Sequence, residues 1–244
     1  MRIAIAGSTG LVGRHVVREA LAAGHDVLEL SRQNGVDLTS PDGLPGRLEG
    51  VDAVVDVTQS PTLDETESTQ FFTTVAGNLG DAAREAGVTR SVTLSIIGID
   101  HVPDYGYYVA KLAQERTAIE RGPAARILRA AQFLEFPGQM LDWNRDGDKV
   151  VIPELKTQPV AISEIARLLV RLADDRVPEA MVELAGPESG ELTDFVRRVA
   201  EARGVEVEVI GVRASEGMAD GVCLPGQNAI IAGPGFTDWL ATQA

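Results

Sequence analysis

Tyr107 and Lys111 stand four residues apart, a spacing that puts both side chains on one helix face about one turn apart. A lysine ammonium beside a phenol stabilises the phenolate and draws its pKa from about 10 toward neutrality, as a proton-transfer catalyst needs. Lys111 is the only lysine among the first 148 residues of an arginine-favouring chain, and only Lys149 and Lys156 follow it. Ser95 lies twelve residues before Tyr107, where its hydroxyl could hold a carbonyl oxygen that Tyr107 protonates. Asn78 could fix a water that relays protons to Lys111. Tyr108 offers a second phenol, but its spacing to Lys111 is wrong for the pair.

The first 32 residues supply a place for a reaction partner. Arg2–Ala6 is a short apolar run, glycines follow at Gly7, Gly10 and Gly13, and a helical pattern begins at once. Strand, glycine turn and helix in that order let a dinucleotide pyrophosphate sit on a helix N-terminus. Gly7 can take backbone angles barred to other residues, Gly10 lets the backbone approach the phosphates, and Gly13 lets helix pack on strand. Asp26–Leu30 reads as the second strand, ending in Ser31-Arg32. A carboxylate after that strand would bind the ribose hydroxyls of NAD, whereas a guanidinium binds a 2′-phosphate. Strand alternation sends Glu29 to the opposite face from Leu30. The expectation is therefore NADP(H) over NAD(H). Lys111 would bond the nicotinamide ribose.

Strands and helices alternate through the first half, the pattern of a parallel sheet with helices on both faces. Val51–Val57 is a near-continuous apolar run, and the polar loop that follows it, Thr58–Thr66, lies at the carboxyl edge where such sheets bind ligands. A long helix is expected from about Glu67 to Ala86, with Asn78 bordering its apolar face. Ser91–Ile97 reads as the fourth strand, Tyr105–Arg121 as a helix and Arg126–Ala130 as the fifth strand. Beyond Gln132 the alternation loosens. Ser163 is expected to cap a helix reaching Ala173. Strands at Lys149–Ile152, Met181–Ala185 and Val205–Val212 and helices at Leu192–Arg203 and Thr237–Thr242 complete the reading. Phe133, Phe136, Met140 and Trp143 are candidates for an apolar pocket wall, or for plain core.

A formal net charge of -14 over 244 residues argues against nucleic acid or an anionic membrane as partner. The single Cys223 and the scattered His15, His25 and His101 offer no metal-ligand spacing, and His25 reads as structural. The first strand leaves no room for a leader peptide, and no apolar stretch approaches the ~18 residues a bilayer requires. A cytoplasmic location is the expectation. The oligomeric state is not legible.

With these residues placed, the chain resembles an atypical short-chain dehydrogenase/reductase of the NmrA-like, NAD(P)H-binding branch. The likeness rests on Gly7-Ser8-Thr9-Gly10-Leu11-Val12-Gly13, Ser31-Arg32, Asn78, Ser95, Tyr107-Tyr108-Val109-Ala110-Lys111 and Leu128–Phe133. The G-x-x-G-x-x-G spacing suits the extended and atypical branches. The resemblance implies a Rossmann-type doubly wound parallel sheet, with residues 1–135 as an NADP-binding core. Residues 136–244 would form a substrate-binding and sheet-completing region interleaved with it. It implies cofactor contacts from Gly7 to Gly13 and from Ser31, Arg32, Thr58 and Lys111. It also implies Tyr107, Lys111, Ser95 and Asn78 as a catalytic set for reducing a small carbonyl or quinone-like molecule. A non-catalytic NADP(H)-binding redox sensor and a cofactor-retaining epimerase or isomerase are the alternatives.

Overall fold

The computed structural model describes residues 1–218 and 221–243. Its first half alternates strand and helix: β1 Arg2–Ala6, α1 Leu11–Ala22, β2 Asp26–Leu30, a short α2 Leu44–Arg47, β3 Ala53–Asp56, α3 Glu65–Glu85, β4 Arg90–Ile96, α4 Gly106–Arg121 and β5 Arg126–Ala130. The second half runs through α5 Phe136–Trp143, β6 Arg145–Asp146, β7 Lys149–Glu154, β8 Lys156–Thr157, α6 Ile162–Ala173, β9 Met181–Ala185 and β10 Gly190–Glu191. It closes with α7 Leu192–Ala202, β11 Glu208–Arg213, β12 Ile230–Ile231 and α8 Phe236–Ala241.

Seven strands build one parallel sheet in the order β12-β9-β5-β4-β3-β1-β2. This is the expected Rossmann-type α/β architecture. The connection from β1 runs to β2 on one side and that from its other neighbour β3 runs to β4 on the opposite side, which opens a crevice at the carboxyl ends of β1 and β3. Alternation along β1 explains the two layers. Ile3 and Ile5 pack with Val12 and Val16 of α1 and Ile165 and Leu169 of α6, while Ala4 and Ala6 meet Val75 and Leu79 of α3. The small alanines let α3 sit close.

Strands from beyond residue 135 complete this sheet, since β9 pairs with β5 and β12 with β9. A second layer of core joins Leu141, Val150, Ile152, Phe195, Val199 and Phe236, beneath a three-stranded sheet of order β11-β7-β6. The loosened pattern after Gln132 conceals α5, whose eight residues are too few to show a helical period. Trp143 at its end is 68% exposed; Phe136 and Met140 pack on the second core and Phe133 on the first. Ser163 does not cap α6: the N-cap lies two residues earlier, at Ala161, with no side-chain cap.

Candidate functional site

The glycine turn is set by space as much as by angle. Gly7 sits at φ 82°, and its N–H donates to the Leu30 carbonyl at 2.9 Å, locking the turn beside the exit of β2. A β-carbon on Gly13 would stand 2.1 Å from the Gly7 carbonyl oxygen, and one on Gly7 would stand 2.9 Å from that of Val57. No side chain caps α1 at Gly10 and its first turn carries no acid, so the leading amides are free to meet an anion. The Ser8 hydroxyl is buried with no hydrogen-bond partner among the described residues, and Leu11 presents an exposed apolar surface at the helix start. Uncapped amides, an unpartnered hydroxyl and a turn with no room for side chains fit a dinucleotide pyrophosphate.

Ser31 follows β2 with its side chain accepting from the Asn34 N–H at 3.3 Å, which starts the short turn Arg32–Asn34. Arg32 is exposed there and joins no salt bridge among the described residues. Hydrogen bonds from Thr39, and less strongly the Arg32 charge, hold the Asp37 carboxyl below its usual range. Thr58, just past β3, donates its N–H and its O–H to Oδ1 of Asp56, at 2.9 and 2.7 Å.

Tyr107 is half-buried at the start of α4. Its ring meets Phe72 edge-on at 5.8 Å. Burial pushes this phenol up to about 12, with Gln59 opposing and Tyr105 adding to the rise. The Lys111 ammonium is not among the groups that shift this phenol. Lys111 explains why. Its Nζ donates to the Leu94 carbonyl at 2.7 Å and to Oε1 of Gln114, and it lies 4.7 Å from the centre of the Phe72 ring. Burial draws its ammonium down to about 8, against the pull of Asp56 and Glu115.

Ser95, near the carboxyl end of β4, is buried and its hydroxyl has no hydrogen-bond partner among the described residues. Asn78 is not brought to this cluster. Its Nδ2 donates to the Leu38 carbonyl at 3.0 Å, holding the loop after β2. Six residues of α-helix turn through about 600°, which leaves Asn78 about 120° around α3 from the Phe72 that touches Lys111.

Several residues here are absent from the sequence reading. Gln114 donates to Asp56 Oδ2 at 2.8 Å, and Glu115 takes a two-pronged hydrogen bond from Arg129 at 3.0 and 2.9 Å. Arg129 also reaches Asp100 at 3.1 Å, and its two acids raise its already high pKa. The available signal was an amide and an acid at buried helix positions three and four after Lys111, and an arginine inside the buried strand RILRA. A groove of about 330 Å³ lies beside α4, lined by Val102, Leu112 and Arg116 among others, and includes none of Tyr107, Lys111, Ser95 and Asn78.

Comparison with known proteins agrees with this geometry. A family model described as NAD(P)H-binding matches residues 7–176. The chain belongs to that family and is an atypical short-chain dehydrogenase/reductase. Among curated proteins it is 26% identical over 221 residues to the photosystem II assembly factor Ycf39 of Synechocystis sp., covering 81% of this chain and 66% of that one. It is 24% identical over 238 residues to the chloroplastic protein High Chlorophyll Fluorescence Phenotype 244 of Arabidopsis thaliana, covering 87% and 58%. The chain thus spans less than two thirds of either relative. Among solved structures, MoeE5 in complex with UDP-glucose and NAD superposes with a TM-score of 0.76 at 22% identity, over 100% of this chain and 97% of that one. That likeness is one of fold.

Proposed function

We propose that this protein is an NADP(H)-dependent oxidoreductase that reduces a small carbonyl or quinone-like substrate, with Tyr107 as proton donor. The observation that carries the reading is the Tyr107 phenol, half-buried on α4 one helical turn before the Lys111 ammonium. A donor in a reduction must start protonated. Tyr107 gives its proton to the substrate oxygen as the carbonyl carbon is reduced, and solvent restores it. When bound, the nicotinamide supplies the hydride, so the carbonyl gains two electrons and the cofactor loses them. Ser95 has a spare hydroxyl with which to hold the substrate oxygen. Lys111 steadies the charge near the phenol and is the ribose ligand. Arg32, exposed and free of any salt bridge among the described residues, supports NADP over NAD. NADPH consumption across a panel of aldehydes, ketones and quinones tests the reading.

One observation favours a second reading. Lys111 donates to Leu94 and Gln114 rather than to Tyr107, and a cofactor-binding protein without turnover needs no lysine–phenol pair. Similarity to a photosystem II assembly factor is in keeping with such a protein acting through a partner. Tight NADPH binding with no consumption over the whole panel would select this reading.

A further inference from the structure

Beneath the cofactor crevice four side chains form one directional hydrogen-bond chain. Thr58 donates twice to Asp56 Oδ1, Asp56 Oδ2 accepts from Gln114 Nε2 at 2.8 Å, and Gln114 Oε1 accepts from Lys111 Nζ. Lys111 passes a second hydrogen to the Leu94 carbonyl. A carboxylate only accepts, so Asp56 decides which end of the Gln114 amide faces it. The amide oxygen is then left for the ammonium. A flipped amide would set an oxygen against the carboxylate and N–H groups against N–H groups. Gln114 is 0% and Lys111 5% exposed, so water cannot make good a lost partner.

We propose that Gln114 is a positioning residue that relays the Asp56 charge to Lys111, keeps the ammonium protonated and ties it to Thr58 at the crevice edge. The charged groups facing Lys111 are Asp56 from β3 and Glu115 from its own helix, the latter engaged by Arg129 of β5. From α3 comes the Phe72 ring, and from β4 the Leu94 carbonyl. Desolvation works against the charge on Lys111 and the Asp56 and Glu115 charges oppose it, while Gln114 accepts a hydrogen bond from the ammonium itself. The chain of bonds exists without cofactor or substrate, so this inference goes beyond the reductase reading and is tested apart from it.

The chain's three lysines make the test direct. Protein grown with lysine carrying ¹³C at the ε position gives three methylene signals, with the exposed Lys149 and Lys156 as internal references. One signal titrates well below the other two. Gln114→Met keeps the length of the side chain and removes both hydrogen bonds; it lowers that midpoint by about one pH unit or more. Asp56→Asn lowers it too, and by less in the Gln114→Met background than in the natural protein, because the relay is already cut. An unmoved Lys111 midpoint in folded Gln114→Met protein, or strictly additive shifts, overturns the proposal. If Gln114→Met does not fold, Gln114→Asn takes its place, since its shorter side chain withdraws the amide from both partners: an unmoved Lys111 midpoint overturns the relay and a lowered one upholds it. Absent turnover with these titrations intact would count against the reductase reading and leave the relay standing.

Discussion

A β-carbon on Gly13 would stand 2.1 Å from the Gly7 carbonyl oxygen, so the first turn of α1 rests directly on the glycine turn. Backbone stands on both sides of this contact and neither can swing away. Gly13→Ala is therefore expected to cost about 2–3 kcal/mol of stability and to abolish NADPH binding. Thermal melts and a fluorescence titration with NADPH check both. Natural melting temperature and affinity in the variant would mean that the turn is looser than described.

Cofactor choice rests on Arg32. Loss of a charge-assisted contact to a 2′-phosphate lowers affinity by about 10- to 100-fold. Arg32→Ala should weaken NADPH to that extent and leave NADH unchanged. Calorimetric titration of both cofactors separates the outcomes, and an equal loss for the two would place the phosphate elsewhere.

The buried pair of Glu115 and Arg129 is a structural hinge pin between α4 and β5. Removing one partner strands a charge in the interior, at a cost of about 3–5 kcal/mol. Glu115→Ala should lower the urea midpoint strongly, and adding Arg129→Met should recover much of the loss. A single variant as stable as the natural protein would show that Asp100 alone satisfies Arg129.

Stability should depend on pH through Lys111. Its pKa is about 8 in the fold and 10.5 in its ordinary state, so the unfolded chain binds the extra proton between those values. Stability from this group thus rises with pH across that window and is missing below it, a gain on the order of 2 kcal/mol between pH 7.5 and 9.5. Above about pH 10 the raised phenols act in the opposite sense, since Tyr107 ionises in the unfolded chain first. Lys111→Met should abolish the rising limb in urea melts. A limb that persists in the variant would assign it to another group.

The sheet was legible because its signals are local. The apolar runs at Arg2–Ala6 and Arg126–Ala130 need only their own residues to read as buried strands, and the glycine turn needs only the strand and helix on either side. Tyr107 and Lys111 were legible by spacing, yet their partners were not. Spacing brings two Cβ atoms to one face but does not say where a long flexible chain sends its terminal atom. Lys111 turns to Leu94 and Gln114 because those acceptors lie in the dry interior, a fact of tertiary packing. Asn78 shows the converse: a motif position whose amide is taken by the Leu38 carbonyl, 40 residues away along the chain. The eight-residue α5 and the two-residue strands carry too little pattern to be read at all.

The measurement that tests the account most directly is NADPH consumption by the natural protein and by Tyr107→Phe, over the same panel of carbonyls and quinones. The account predicts turnover of at least one substrate, a loss of about 10²-fold or more in the variant, and unchanged NADPH affinity in both. Equal turnover by the two proteins, or tight NADPH binding with no consumption by either, would contradict it.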